Sequence, residues 1–215
     1  MKNKLLLYGF AGIVIFGIFY YASMEYKKSQ VKKVSYIAKT EEQRFVRDHS
    51  PRLGIPTAKI VLTEFLDPEC ESCRAIHPKI KDLLKRYDGQ ILLVVRYAPF
   101  HKNSQNAVRA LEAARMQGKY WEALDLLFEY QPMWGDHHNP KPELIFQILP
   151  ELGLDMTKLR EDMKSEKITE IIRQDMIDLQ ILGVRGTPTF FVNGKQPERF
   201  GLQYLEALIQ RELSL

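Results

Sequence analysis

A strand-forming apolar run, Lys59-Ile-Val-Leu-Thr-Glu-Phe-Leu66, ends at Asp67-Pro68 and passes at once into Cys70-Glu71-Ser72-Cys73 at the mouth of a helix. The run suits a buried central strand, with Glu64 its single acidic interruption. The pattern predicts a helix from about Cys70 to Tyr87, burying Ile80, Leu83, Leu84 and Tyr87, with a kink at Pro78. Asp88-Gly89 stops it, and Ile91 to Tyr97 reads as a second strand. Far downstream, Gly186-Thr187-Pro188-Thr189-Phe190-Phe191-Val192 supplies a strand that begins at a proline. Strand, dithiol, helix and a proline-opened strand, in that order, point to an α/β fold built around a redox-type cysteine pair.

Cys70 and Cys73 are the only cysteines among 215 residues. As a structural staple they would close a loop worth roughly 2 kcal/mol, against about 3 for a loop of about 15 residues. About 190 residues follow the apolar start, enough for one domain with its own core, so stability does not depend on that bond. Zinc is the other bland reading. Cys70, Cys73 and His77 have ligand-like spacing, but a closed zinc site needs four ligands and no second cysteine pair exists. Redox chemistry through a Cys70–Cys73 disulfide is favoured. A periplasmic chaperone holding copper(I) on the same thiolates, with or without His77, is the binding-class alternative. A tethered docking protein with an incidental dithiol is a third. Glu64 and Thr187-Pro188 favour the redox reading, because neither alternative needs them. No cofactor or resident metal is expected. A formal charge of +4 without an arginine-aromatic stripe argues against nucleic acid as a partner.

Leu5 to Ala22 carries no charge and follows Lys2 and Lys4. At about 1.5 Å per residue it spans about 27 Å, just enough for a bilayer core with snorkelling flanks. Residues 1–23 are therefore expected to form a transmembrane signal anchor. Cleavage after Ala22 would put bulky Tyr20 where a small residue is wanted, so a retained anchor is favoured over a cleaved signal peptide. Lys27, Lys28, Lys32 and Lys33 follow the span, so the positive-inside count does not itself send the carboxyl end outward. Export is argued from the basic start and the dithiol. Residues 24–50 are polar and read as a helical spacer. Met24, Lys27, Val31, Val34, Ala38, Glu41 and Phe45 make a mediocre heptad seam. A solvated spacer is favoured over an oligomerisation stalk, which would run through residues 24–48.

The folded domain is assigned to residues 51–215. Pro51, Gly54 and Pro56 make a turn-rich entry from Arg52 to Ala58. From about 103 to 183 the pattern is helical. Ser104 is a candidate cap for a helix carrying Ala107, Ala110, Leu111 and Ala114 on one face. Tyr120 to Phe128, Pro142 to Leu149, and Asp155 to Leu182 in one or two pieces complete the set. Thr189 to Val192 is a strand, Asn193-Gly194 a hairpin turn, Gln196 to Phe200 an edge strand and Leu202 to Leu213 a closing helix. This outline is a thioredoxin fold with a helical insertion, preceded by the anchor.

Three stretches resemble the DsbA-like branch of thiol–disulfide oxidoreductases. They are Phe65-Leu-Asp-Pro-Glu-Cys-Glu-Ser-Cys73, the Trp121-Glu to Leu127-Phe128 segment, and Ile181-Leu-Gly-Val-Arg-Gly-Thr-Pro-Thr-Phe-Phe-Val-Asn-Gly194. The likeness covers roughly residues 48 to 213. It implies an exported bacterial enzyme, which with the expected anchor would sit in the inner membrane with its catalytic domain in the periplasm. It also implies exported protein substrates, a membrane redox partner, a helical insertion over the dithiol and a cis proline facing it.

Cys70 is the expected nucleophile, because unpaired amides and the dipole at a helix start stabilise a thiolate. Cys73, one turn in, would resolve the mixed disulfide. Glu64 in an apolar strand should carry a raised pKa, and its spacing resembles the family's buried acid, which implies proton exchange with Cys73. A strand-end carboxylate turned to solvent is the alternative. Thr187 and Pro188 are expected to bind substrate: the proline removes a donor and frees the Thr187 backbone for an extended chain. His77 reads as a polar helix position, His101, His137 and His138 lie in loops without an assigned role, and Met133 and Trp134 are read as insertion core rather than a substrate groove. Glu69 and Glu71 flank the thiolate and oppose it, and the motif lacks the histidine of the family's strongest oxidant. Thr187 before the proline resembles the reducing and isomerising branches. The potential should thus lie between about −270 and −120 mV, with reductase or isomerase activity at least as well supported as oxidase activity.

Overall fold

In the computed structural model, residues 15–29, 32, 42–136 and 138–215 are described. The central strand is β2 (Ile60–Leu66), buried except for half-buried Val61. It pairs in parallel with β3 (Ile91–Tyr97) and antiparallel with β4 (Thr189–Val192). A two-residue strand, β1 (Arg52–Leu53), adds antiparallel to the far edge of β3, giving the order β1-β3-β2-β4. Side chains alternate across a strand. One face thus carries Ile60, Leu62, Glu64 and Leu66, and the other Val61, Thr63 and Phe65.

The helix α2 (Glu71–Arg86) follows β2 and packs Ile76, Ile80 and Leu83 on the first face, beside Leu205, Leu208 and Ile209 of α9 (Leu202–Leu213). The insertion continues that cover over the Leu66 end of the sheet. It comprises α3 (Ser104–Met116), α4 (Tyr120–Glu129), α5 (Gln131–Trp134), α6 (Ile145–Ile148), α7 (Met156–Asp162) and most of α8 (Glu166–Leu182). The amino end of α8 joins this core, while Leu179 and Leu182 near its carboxyl end cross to the opposite face and pack with Phe65 and Phe191. Asp155 caps α7 and Ser165 caps α8, so the span expected in one or two pieces is two helices.

Three expectations need correction. Gln196 to Phe200 forms no strand; a single bridge joins Val192 to Lys195, and Pro197 lacks the donor a ladder needs. The second edge is instead β1, inside the segment read as turn-rich. Gly54 next to it has φ +116°, and any Cβ there would collide with the Ile91 carbonyl. Ser104 does not cap α3; it is the first helical residue, and its hydroxyl is drawn to Asp67 and Glu69. The helix α2 runs through Pro78 as one element.

The polar spacer expected over 24–50 is not one helix. Residues 42–44 make one 3₁₀ turn, and Phe45 is buried with its ring 5.0 Å from that of Phe191. Packed structure therefore starts upstream of Pro51. Residues 15–29, here α1, are helical and almost wholly exposed. The remainder of the expected anchor, residues 1–14, and residues 30–41 apart from Lys32, which include most of the candidate stalk, lie outside the described residues. Among the described residues no helix is long and apolar enough to cross a membrane.

A buried charge cluster clamps the 44–50 segment to the sheet. Arg96 of β3, fully buried, donates to Asp175 at 2.9 and 2.6 Å and to Asp178 at 2.7 Å, and also to the Arg44 carbonyl. Arg47 donates to Asp178 at 2.8 Å, and His49 Nε2 lies 2.7 Å from Asp175. Burial would raise the Asp178 carboxyl, but Arg47 and Arg96 override it and hold the pKa down to about 2. Removing one partner of such a cluster strands the others in low dielectric. Arg96→Met should therefore cost about 3–5 kcal/mol of unfolding free energy, read from urea titration. A loss below about 1 kcal/mol would mean that water reaches the two aspartates.

Candidate active site

Cys70 occupies the N-cap of α2 with extended backbone, φ −79° and ψ 121°. It is 7% exposed, Cys73 is fully buried, and both thiols are free. The Cys70 thiol donates to the Thr187 carbonyl at 3.3 Å, and the Thr187–Pro188 bond is cis. The structure thus brings Cys70, Cys73, Thr187 and Pro188 together at the start of one helix.

The two sulfurs are driven apart electrostatically. A hydrogen bond from the Cys73 thiol does most to stabilise the Cys70 thiolate. The Thr187 side chain and the amides of Cys73 and Ser72 add to it, and against burial they bring the pKa down to about 5. Cys73 is pushed far up, first by burial, then by its bond to Cys70 and by the Glu64 charge. Glu64 lies beneath them on the same sheet face as Leu66, opposite Val95 and Phe190. It is 2% exposed, and its Oε1 makes no hydrogen bond among the described residues. Burial raises its carboxyl to about 8. The solvent-facing alternative for Glu64 is therefore excluded.

Several residues of the site carried no functional signal in the sequence. Asp67, read there only as a strand end, is fully buried and holds the loop before Cys70 in place. Its Oδ1 accepts from the Glu69 amide at 2.9 Å and the Ser104 hydroxyl at 2.5 Å. Its Oδ2 accepts from the Phe100 and His101 amides at 2.8 and 3.2 Å and lies 2.7 Å from His101 Nδ1. Burial would lower the His101 pKa, yet the Asp67 carboxylate, helped by the Cys70 thiolate, raises it. An imidazole whose charged form is favoured by Asp67 thus stands near a motif that has no histidine of its own. Glu69, expected to oppose the thiolate, accepts from the Asn103 amide, the Asn103 side chain and Ser104. Gln131 of α5 donates to the Pro68 and Cys70 carbonyls and accepts from Arg74, tying the insertion to the dithiol loop.

Other singled-out residues fall elsewhere. His77 Nε2 lies 2.7 Å from Asp125 Oδ1 and its ring is 5.0 Å from Phe128, so it links α2 to α4 and is not turned to the sulfurs. Among the described residues no group of three His, Cys, Asp or Glu could hold a metal ion. Trp134 is buried in the insertion core and Met133 is exposed. His138 lies in the loop after α5, and His137 is outside the described residues.

The sequence matches the thioredoxin family over residues 47–211. A thioredoxin-like oxidoreductase from Silicibacter pomeroyi is 29% identical, with a TM-score of 0.70 over 81% of this chain and 98% of that one. Oxidised BdbD from Bacillus subtilis has a TM-score of 0.69 at 24% identity, covering 78% of this chain and 94% of its own. The thiol-disulfide exchange protein α-DsbA2 from Wolbachia pipientis has a TM-score of 0.70 at 22% identity, covering 86% and 96%. A Na(+)/H(+) antiporter NhaA from Herminiimonas arsenicoxydans is 33% identical over 66% of this chain, but the match covers only 22% of that protein. The chain thus spans about a quarter of such relatives, and their ion transport is not carried over. The chain belongs to the thioredoxin family, with the architecture of its DsbA-like thiol–disulfide oxidoreductase branch.

Proposed function

We propose that the protein exchanges disulfides with exported protein substrates through Cys70 and Cys73, with its catalytic domain outside the cytoplasm. The observation that carries this reading is the placement of the sulfurs: Cys70 at the N-cap of α2, 3.3 Å from the Thr187 carbonyl, above a buried Cys73, an arrangement that holds the Cys70 pKa at about 5. At neutral pH Cys70 is then a thiolate and Cys73 a thiol. In the reducing direction, the Cys70 thiolate attacks a substrate disulfide, forming a mixed disulfide and releasing one substrate thiolate. Cys73 passes its proton to Glu64 in the minor fraction of that carboxyl which a pKa of about 8 leaves ionised at neutral pH, and attacks Cys70 Sγ, releasing the second substrate thiolate and leaving the Cys70–Cys73 disulfide. The oxidising direction runs the same bonds backwards, and isomerisation stops at the mixed disulfide and returns.

Substrate has a place to lie. The Thr187 backbone can pair with an extended chain beside the sulfur. Next to it a cavity of about 230 Å³ is lined by Ile76, Pro188, Phe190 and the exposed Phe200. A Cys70 pKa near 5 lies between the ~3.5 and ~7 of strong oxidant and general reductant. Equilibration with glutathione should accordingly give a potential between about −270 and −120 mV, with insulin reduction and repair of scrambled disulfides both measurable. A potential at the oxidising limit without activity on scrambled disulfides would leave only an oxidase. No exchange in any of these assays would end the proposal.

A further inference from the structure

The insertion holds a second, larger groove that the dithiol chemistry leaves unused. It is about 570 Å³ in volume and is walled by Arg109 of α3, Arg160 of α7 and Lys164 in the α7–α8 turn, over Phe146 and Met163. No carboxylate lines it. Arg109 spends its donors on neutral oxygens, the Met163 carbonyl at 2.9 Å and the Thr169 hydroxyl at 3.1 Å. Arg160 stacks 4.2 Å over the Phe146 ring. Among the described residues none of the three cations makes an ion pair. Elsewhere on this surface basic side chains regularly do, as with Lys158–Asp162 and Arg173–Glu170 close by.

We propose that this groove is a docking site for an acidic segment of the polypeptide on which Cys70 acts. This deepens the disulfide-exchange reading and rests on it for the identity of the partner. Three uncompensated cations around one hollow favour carboxylates. The apolar floor of Phe146 and Met163 gives a peptide contact area that a free inorganic anion could not use. The groove shares the helix α3 with the dithiol loop. Ser104 at the start of α3 bonds to Asp67 and Glu69 beside Cys70, and Arg109 stands about 7.5 Å further along the same helix axis. Five residues turn the helix by about 140°, so a substrate held at Cys70 has to pass round α3 to lay acidic residues into the groove.

The test uses the full-length chain and a fluorescein-labelled peptide of glutamate and leucine, with its glutamine counterpart as control. Anisotropy should show preference for the glutamate peptide by about tenfold, the size that a few exposed ion pairs supply, fading with added salt. Arg160→Gln/Lys164→Gln changes only exposed side chains and should abolish the preference. In turnover, the same pair should raise KM about tenfold for a cystine peptide flanked by glutamate. It should leave kcat, and KM for the glutamine-flanked peptide, unchanged. Equal binding of both peptides, an unaltered preference in the double variant, or tighter saturable binding of inorganic phosphate than of the glutamate peptide would each overturn the groove's assignment. The reaction of Cys70 with neutral hydroxyethyl disulfide separates the two ideas. Its absence with peptide binding intact would remove the exchange reading and leave an acidic-peptide site. Its presence without charge preference would do the reverse.

Discussion

Cys70→Ser should abolish disulfide exchange, a loss on the order of 10⁴-fold or more in insulin reduction, because no other sulfur can take its place. Cys73 is fully buried and its thiol is pushed up by burial, by Cys70 and by Glu64, so it is neither accessible nor ionised at neutral pH. Cys73→Ser should instead retain attack and stall, leaving substrates covalently attached to Cys70 on a non-reducing gel. The hydrogen bond from Cys73 is also the largest influence holding Cys70 down to about 5. A serine hydroxyl can still donate there, whereas alanine cannot. Cys73→Ala should therefore move the ultraviolet thiolate titration of Cys70 up towards its free value of about 8.5, and Cys73→Ser should move it much less. Trapping through Cys73 in the Cys70 variant would reverse the division of labour. Equal titrations in the two Cys73 variants would show that the helix amides, not the neighbouring thiol, set the Cys70 pKa.

What the sequence made legible was what depends on local periodicity. The run of apolar residues from Ile60 to Leu66, the helix after Cys70 and the helical spacing of Ala107, Ala110, Leu111 and Ala114 each fix an element without outside help. The dithiol and the Thr187–Pro188 pair could be placed because strand, motif and second strand occur in a fixed order. The rest depends on contacts between distant segments. Asp67 is an ordinary turn residue until Phe100, His101 and Ser104, more than thirty residues on, bring their donors to it. Ser104 has the composition of a cap and loses that role to the same carboxylate. Gln131 carries no motif, yet its amide bridges two carbonyls of the Cys70 loop. Glu69 was only half legible. Its charge near the sulfur is plain from the sequence, but its hydrogen bonds to Asn103 and Ser104 are not. Edge pairing was hardest to read, because β1 is two residues long and its partner β3 lies far along the chain, Arg52 pairing with Val94.

Glu64→Gln should make the fold less sensitive to pH while making the enzyme slower, and the two effects have one origin. Burial raises the Glu64 pKa from 4.5 to about 8, so between those values the folded chain holds a proton that the unfolded chain has released. Stability must then fall as pH rises through that window, and be insensitive to this group below it, where both states are protonated. Above pH 8 the carboxylate is charged and Oε1 is unpaired, a cost approaching roughly 4–5 kcal/mol. Glutamine removes the titration, so urea unfolding of the variant should lack the decline from pH 4.5 to 8 and gain on the parent protein most at alkaline pH. An identical pH profile in the two proteins would mean that the carboxyl is hydrated. Turnover should move the other way. A pKa of about 8 leaves Glu64 near the point where it both accepts and returns a proton at neutral pH. Cys73, whose thiol resists ionisation, needs such an acceptor when it attacks the mixed disulfide. Losing that acceptor should slow resolution by about 10²-fold, at the lower end of general-base effects, and mixed disulfides should accumulate on Cys70. If turnover is unchanged while the stability profile flattens, Glu64 is a buried acid without a part in the proton transfer.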